Sequence, residues 1–277
     1  MRKLGIALVV MLVAVMWPAQ AHAVDGWRLV GSDNARPLDE GQGLATVTRG
    51  STTQYRYTGS ATIPFDLLVA GWNHVGDPGA AQGWYVEPYQ RDDRGGKLFR
   101  VQSPTGAWSN YKHALESWEA TNNSWSAVSP DTQWMVNGEW GTMDRLLVFP
   151  MPGVRATNPG QNLPLASKVN LDRPVRDVQG CDFVTATRLL CASDDPAGTL
   201  FGTTKPLLQV DLSGPVGSAD VTGQVKSLGQ LPLKSGCTGS FEVEGIDYFE
   251  QDGTLRVIVL SPSICITTDS KTYRFQR

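Results

Sequence analysis

Apolar and polar residues alternate with a period of two in several short segments of this chain, as in strands with one buried face. In Lys97–Gln102, Phe99 and Val101 fall on one side and Arg100 and Gln102 on the other; Tyr55 and Tyr57 share a face in the same way. Gln179–Val210 reads as a short strand, a tight connection, a second strand, a longer loop and a third strand, which continues to Leu212. Gln224–Leu231 follows as a fourth. Similar units surround it. Gly43–Val47, Gln54–Tyr57 and the apolar run Asp66–Gly71 make a first. Trp72–Asp77, Gly83–Tyr89, Lys97–Gln102 and Trp108–His113 make a second. Ser124–Val128, Gln133–Glu139 and Arg145–Phe149 make a third. Glu242–Tyr248, Leu255–Leu260 and Tyr273–Phe275 make the last. No amphipathic helix longer than about two turns is expected, Tyr111–Thr121 being the best candidate.

The units open alike. Gly43-Leu44-Ala45, Asn73-His74-Val75-Gly76-Asp77, Gln179-Gly180-Cys181-Asp182 and Glu244-Gly245-Ile246-Asp247 are variants of one signal. Taking Gly43, His74, Val128, Gly180 and Gly245 as equivalent gives spacings of 31, 54, 52 and 65 residues, which bracket the ~40–50 typical of a propeller blade. The expected fold is all-β: a β-propeller of about five blades, in which Gly26–Val30 supplies the strand that the last blade lacks. Joining the two ends in this way removes exposed sheet edges. A sandwich or a barrel is the competing architecture.

The N-terminus changes the picture of where the domain starts. Arg2 and Lys3, an uncharged run from Leu4 to Trp17, and Ala21-His22-Ala23 form a three-part secretory signal over residues 1–23. Residues 24–277 are then a single domain of a secreted protein. The apolar run is short of the ~20 residues that span a bilayer. In that compartment Cys181, Cys191, Cys237 and Cys265 are expected as disulfides. Cys181–Cys191 fits two adjacent antiparallel strands, and Cys237–Cys265 would tie down the last blade. The net charge of −3, without a basic run, argues against nucleic acid or a membrane surface as partner. A monomer is expected.

In a propeller the innermost strands converge, so the opening residues of distant units share one axis. His74 and Asp77 are the candidate acid–base pair. Asp182, Glu244 and Asp247 are candidate ligands for a hard cation such as Ca²⁺. The other use of such acids is to accept backbone N–H bonds. Eight of the nine Trp follow residue 23. Trp118 and Trp125, flanking the polar Asn122-Asn123, are the expected exposed pair for stacking on a sugar or a protein. No GxSxG elbow or phosphate loop is present.

Phe241-Glu242-Val243-Glu244-Gly245-Ile246-Asp247-Tyr248, followed by Asp252-Gly253-Thr254-Leu255, resembles the blade opening of gluconolactonase-like and esterase-like phytase propellers. Asn73–Asp77 resembles the opening of other extracellular propellers, and the chain is similar to secreted actinobacterial β-propeller proteins of unassigned role. The lactonase resemblance implies a divalent cation held by Glu, Asn and Asp. Glu244 and Asp247 match two of those positions, and no full set is found. Two functions follow as expectations: binding of an extracellular protein or glycan, or a Ca²⁺-dependent lactonase-like or phosphoesterase-like hydrolysis at the central channel.

Overall fold

The alternating segments fold into antiparallel blades arranged around one axis. The computed structural model describes residues 24–277, apart from 92, 94, 121, 236, 238, 263, 264 and 266–268. The expected secretory signal lies outside the described residues. β1 (Arg28–Asn34) precedes the short helix α1 (Pro37–Glu40). The first blade is the hairpin β2 (Gly43–Arg49) and β3 (Thr52–Thr58). After α2 (Phe65–Val69), the second blade holds β4 (His74–Val75) and β5 (Gly79–Ala81) beside β6 (Trp84–Gln90), then β7 (Lys97–Gln102) and β8 (Trp108–His113). The third blade is β9 (Asn122–Val128), β10 (Trp134–Glu139), β11 (Thr142–Pro150) and β12 (Ser167–Arg176). The fourth is β13 (Val178–Thr185), β14 (Arg188–Ser193), β15 (Pro206–Leu212) and β16 (Val221–Gln230). The fifth is β17 (Glu242–Phe249), β18 (Thr254–Leu260) and β19 (Lys271–Gln276), and β1 completes it by pairing with β19.

The inner strands close a ring. β2 packs on β5, β5 on β9, β9 on β13, β13 on β17, and β17 on β2. Asp77 and Trp125 form a parallel bridge, with Asp77 N–H donating to Ser124 O at 2.9 Å and Ser126 N–H to Asp77 O at 3.0 Å. The described residues thus form a five-bladed β-propeller whose N-terminal strand completes the last blade.

The wedges between blades are the core. Trp125, Trp134, Val148, Phe183 and Val210 are among the residues that fill the space between the third and fourth blades. Those two blades also join at their rims, where β12 pairs with β16 in parallel, Val169 opposite Val221. The sequence gives no sign of this junction, because it depends on how two separate blades lean together. A second cluster, with Trp27, Leu190, Val257 and Phe275, lies between the fourth and fifth blades. Trp27 is buried, which anchors the segment leading into β1.

Both expected disulfides are present. Cys181 and Cys191 face each other across β13 and β14 with Cα atoms 4.0 Å apart. Cys237–Cys265 joins the approach to β17 with the β18–β19 connection.

Two local expectations fail. Asp66–Gly71 is not a strand but falls on α2. Pro64 starts the turn with its fixed φ, Leu68 N–H donates to Pro64 O at 3.0 Å, and only Leu67 is buried. The first blade therefore has two strands. Asn122-Asn123 begins β9 rather than forming a loop.

Candidate functional site

The opening motifs meet at Asp77. A Cβ on Gly180 would lie 2.1 Å from Asp77 Oδ2, one on Gly245 2.2 Å from Oδ1, and one on Gly43 2.4 Å from its Cα. Glycine at these positions lets three inner strands close on one carboxylate. That carboxylate is fully buried and accepts Leu44 N–H through Oδ1 and Ile246 N–H through Oδ2, each at 3.1 Å. Burial pushes Asp77 well above the usual carboxylate range, outweighing the pull of the two amides.

Two residues after Gly180 and Gly245 come Asp182 and Asp247. Asp182 Oδ2 accepts Tyr248 N–H at 2.8 Å, linking β13 to β17, and Oδ1 accepts Phe183 N–H at 2.8 Å. Asp247 Oδ1 accepts Thr46 N–H at 2.8 Å and Oδ2 accepts Thr46 Oγ1–H at 2.7 Å, linking β17 to β2. Arg256 Nη1 reaches Asp247 Oδ2 at 3.4 Å. Burial raises both acids, and for Asp182 the neighbouring Asp247 adds to it. Each of these acids bonds the backbone of a neighbouring blade.

Beyond this level the axis opens into a depression of about 570 Å³. Every inner strand or its extension contributes, through Thr46, Ala80, Val128, Asp182 and Asp247 among others. Phe183 and Tyr248 line it too, each three residues after an opening glycine, as Thr46 is after Gly43. That offset could have located the depression from the sequence.

The other candidates lie elsewhere. Glu244 is buried and does not line the depression; burial raises it first, then the nearby Glu242 and Asp194. Asp194 pairs with Lys205 and accepts Val243 N–H, yet burial still lifts it to about 6. His74 is half-buried on β4 opposite Gln90 and is not part of the lining. Asp77 is sealed beneath the depression, so His74 and Asp77 do not share an open surface. Among the described residues, no group of three or more His, Cys, Asp or Glu is arranged to hold a metal ion.

Trp118 is 40% exposed, but Lys168 Nζ lies 3.8 Å and the Arg145 guanidinium carbon 4.7 Å from its ring centre. Trp125 corrects the expectation of an exposed pair. It is fully buried in the wedge between blades, and a Cβ on Gly138 would sit 2.5 Å from its Nε1. Its side chain faces the neighbouring blade and packs in the wedge core rather than at the surface.

Sequence reasoning also missed a buried polar cluster between the second and third blades. Lys97 Nζ donates to Asn137 Oδ1 at 2.7 Å and to Gly138 O at 3.0 Å, and burial lowers it to about 8. Glu119 Oε2 lies 2.7 Å from His113 Nε2, and His113 Nδ1 lies 2.7 Å from Leu163 O. A lysine opening the amphipathic KLFRVQ strand looks solvent-facing in the sequence.

No family profile and no curated protein matches this chain. Among solved structures it is similar to a periplasmic gluconolactonase of Pseudomonas aeruginosa, PpgL, at 12% identity and a TM-score of 0.37, over 64% of this chain and 47% of that one. It is also similar to the Dos1 propeller, at 7% identity and a TM-score of 0.33, over 80% of this chain and 58% of that one. The chain therefore spans about half the length of these structures.

Proposed function

We propose that this protein is an exported, monomeric binding propeller that receives a protein or glycan ligand in the axial depression. The observation that carries this reading is the lining itself. Every inner strand borders the depression, and its ionisable side chains are Asp182, Asp247, Tyr248 and Glu250. Among the described residues, histidine, serine, cysteine, lysine and arginine do not line it, and the hydroxyl–carboxylate contact it holds, Thr46 Oγ1–H to Asp247 Oδ2, ties β2 to β17. Hydroxyl, amide and aromatic groups on a concave surface suit a polar ligand. The disulfides fit an oxidising compartment. Among the described residues, no helix is long and apolar enough to cross a membrane.

The rival reading is hydrolysis with Ca²⁺. Ca²⁺ takes six to eight oxygens. Asp182 and Asp247 line the depression and Glu244 does not. Among the described residues no group of three or more His, Cys, Asp or Glu is arranged to hold a metal ion, so no step is derived through a metal. Glycan and secreted-protein arrays at micromolar protein test the binding reading, which predicts a saturable ligand. Absence of any ligand, together with a calcium-dependent rise in melting temperature lost in Asp247→Ala, would favour the hydrolase.

A further inference from the structure

We infer that the axial depression takes a basic side chain of a protein partner: an ammonium or guanidinium group at the end of an aliphatic stem. The inference rests on the depression being the ligand site. Its warrant is a mismatch of charge. Among the described residues, the depression is lined by two aspartates and a glutamate and by no basic residue. Asp182 is half-buried and, among the described residues, has no lysine or arginine within ion-pair distance; its protein partners are the backbone N–H groups of Phe183 and Tyr248. Asp247 does have a cation, but Arg256 is itself buried and also bonds Asp252 and Tyr55.

A carboxylate withdrawn from water without a counter-ion is unfavourable, and a cation arriving from outside supplies the missing partner. The lining also carries partly exposed apolar surface from Ala80 and Val184. That combination matches the methylene stem and charged tip of lysine or arginine. The volume of about 570 Å³ accommodates neighbouring residues of a loop as well as the basic side chain. An amino sugar offers the ammonium group without the stem.

The test uses the ¹⁵N-labelled chain and blocked pentapeptides Gly-Gly-X-Gly-Gly with X as Lys, Arg, Leu or Glu, together with a glucosamine oligomer. The expected result is that the Lys and Arg peptides move the amide signals of Thr46, Phe183 and Tyr248. In Asp182→Asn their affinity falls at least tenfold. In Val184→Lys, which places a tethered ammonium in the depression, it also falls at least tenfold while the remaining spectrum stays native. Equal binding of the Leu or Glu peptide overturns the inference but leaves the depression as a ligand site. So does movement of those signals by the glucosamine oligomer and not by the Lys and Arg peptides. If neither these probes nor any ligand from the arrays moves those signals, both readings fall.

Discussion

Asp77 shows how one side chain can set the geometry of a ring. Its two oxygens serve β2 and β17, its main chain serves β9, and the missing Cβ of Gly180 brings β13 against it. Gly180→Ala forces a methyl group into van der Waals overlap with Oδ2, and overpacking of this kind costs about 3 kcal/mol. Urea unfolding measures that loss. A second change, Asp77→Ala, removes the clashing carboxyl, so the double variant should be more stable than the sum of the single effects predicts. The acids drawn out of water, wholly or in part, also fix a pH dependence. Asp194 is raised to about 6, and Asp77, Asp182, Glu244 and Asp247 are raised as well. Their contribution to stability is fully present below the unfolded value near 4 and is lost as pH rises through the folded values. Glu119 and Asp211 are lowered instead; they lose stability only as pH falls through their folded values, below the unfolded ones. Between pH 4.5 and 6 the raised acids govern, so stability falls with pH. Asp194→Asn removes one proton from that slope, up to about 1.4 kcal/mol per pH unit, measurable from urea midpoints across the window.

Among the strands, the closing β1 is the one most open to a direct test. It pairs with β19 along the last blade, and the segment before it buries Val24 and Trp27. Trp27→Ala should cost about 3–5 kcal/mol, a fall of about 10 °C in melting temperature for a domain of this length. How far each element was legible depended on what its residues report. β13 and β17 carry an opening glycine within an apolar strand, and Gly180 and Gly245 marked them. β12, Ser167–Arg176, has only three buried residues of ten and no sustained alternation, so its sequence carries little strand signal. Asp66–Gly71 was misread because a short apolar run carries no period of its own, and Pro64 decides the outcome. Trp118 and Trp125 were indistinguishable by type; only their facing, solvent for one and the next blade for the other, separates them. The acids Asp182 and Asp247 were found as opening residues, whereas their bonds to neighbouring blades depend on how the blades are arranged.

The ring as a whole is held by several unlike closures: β1 on β19, the parallel β12–β16 junction, the wedge cores, and the axial carboxyl groups. Cys237–Cys265 adds a covalent one across the last blade. By loop-closure entropy its 28-residue separation contributes about 3.6 kcal/mol, so Cys237→Ser with Cys265→Ser should lower the urea midpoint by the equivalent of that amount. The same convergence that seals the hub at Asp77 leaves the axis open beyond Asp182 and Asp247, and that opening is where function is assigned. Filling it is the decisive test. Thr185 is exposed and lines the depression, so Thr185→Trp obstructs it without entering the core. Run beside the native protein on the same glycan and protein arrays, this variant should lose at least tenfold in affinity for whatever ligand the native chain binds, with an unchanged melting temperature. Undiminished binding by a folded Thr185→Trp would contradict the assignment of the depression as the binding site.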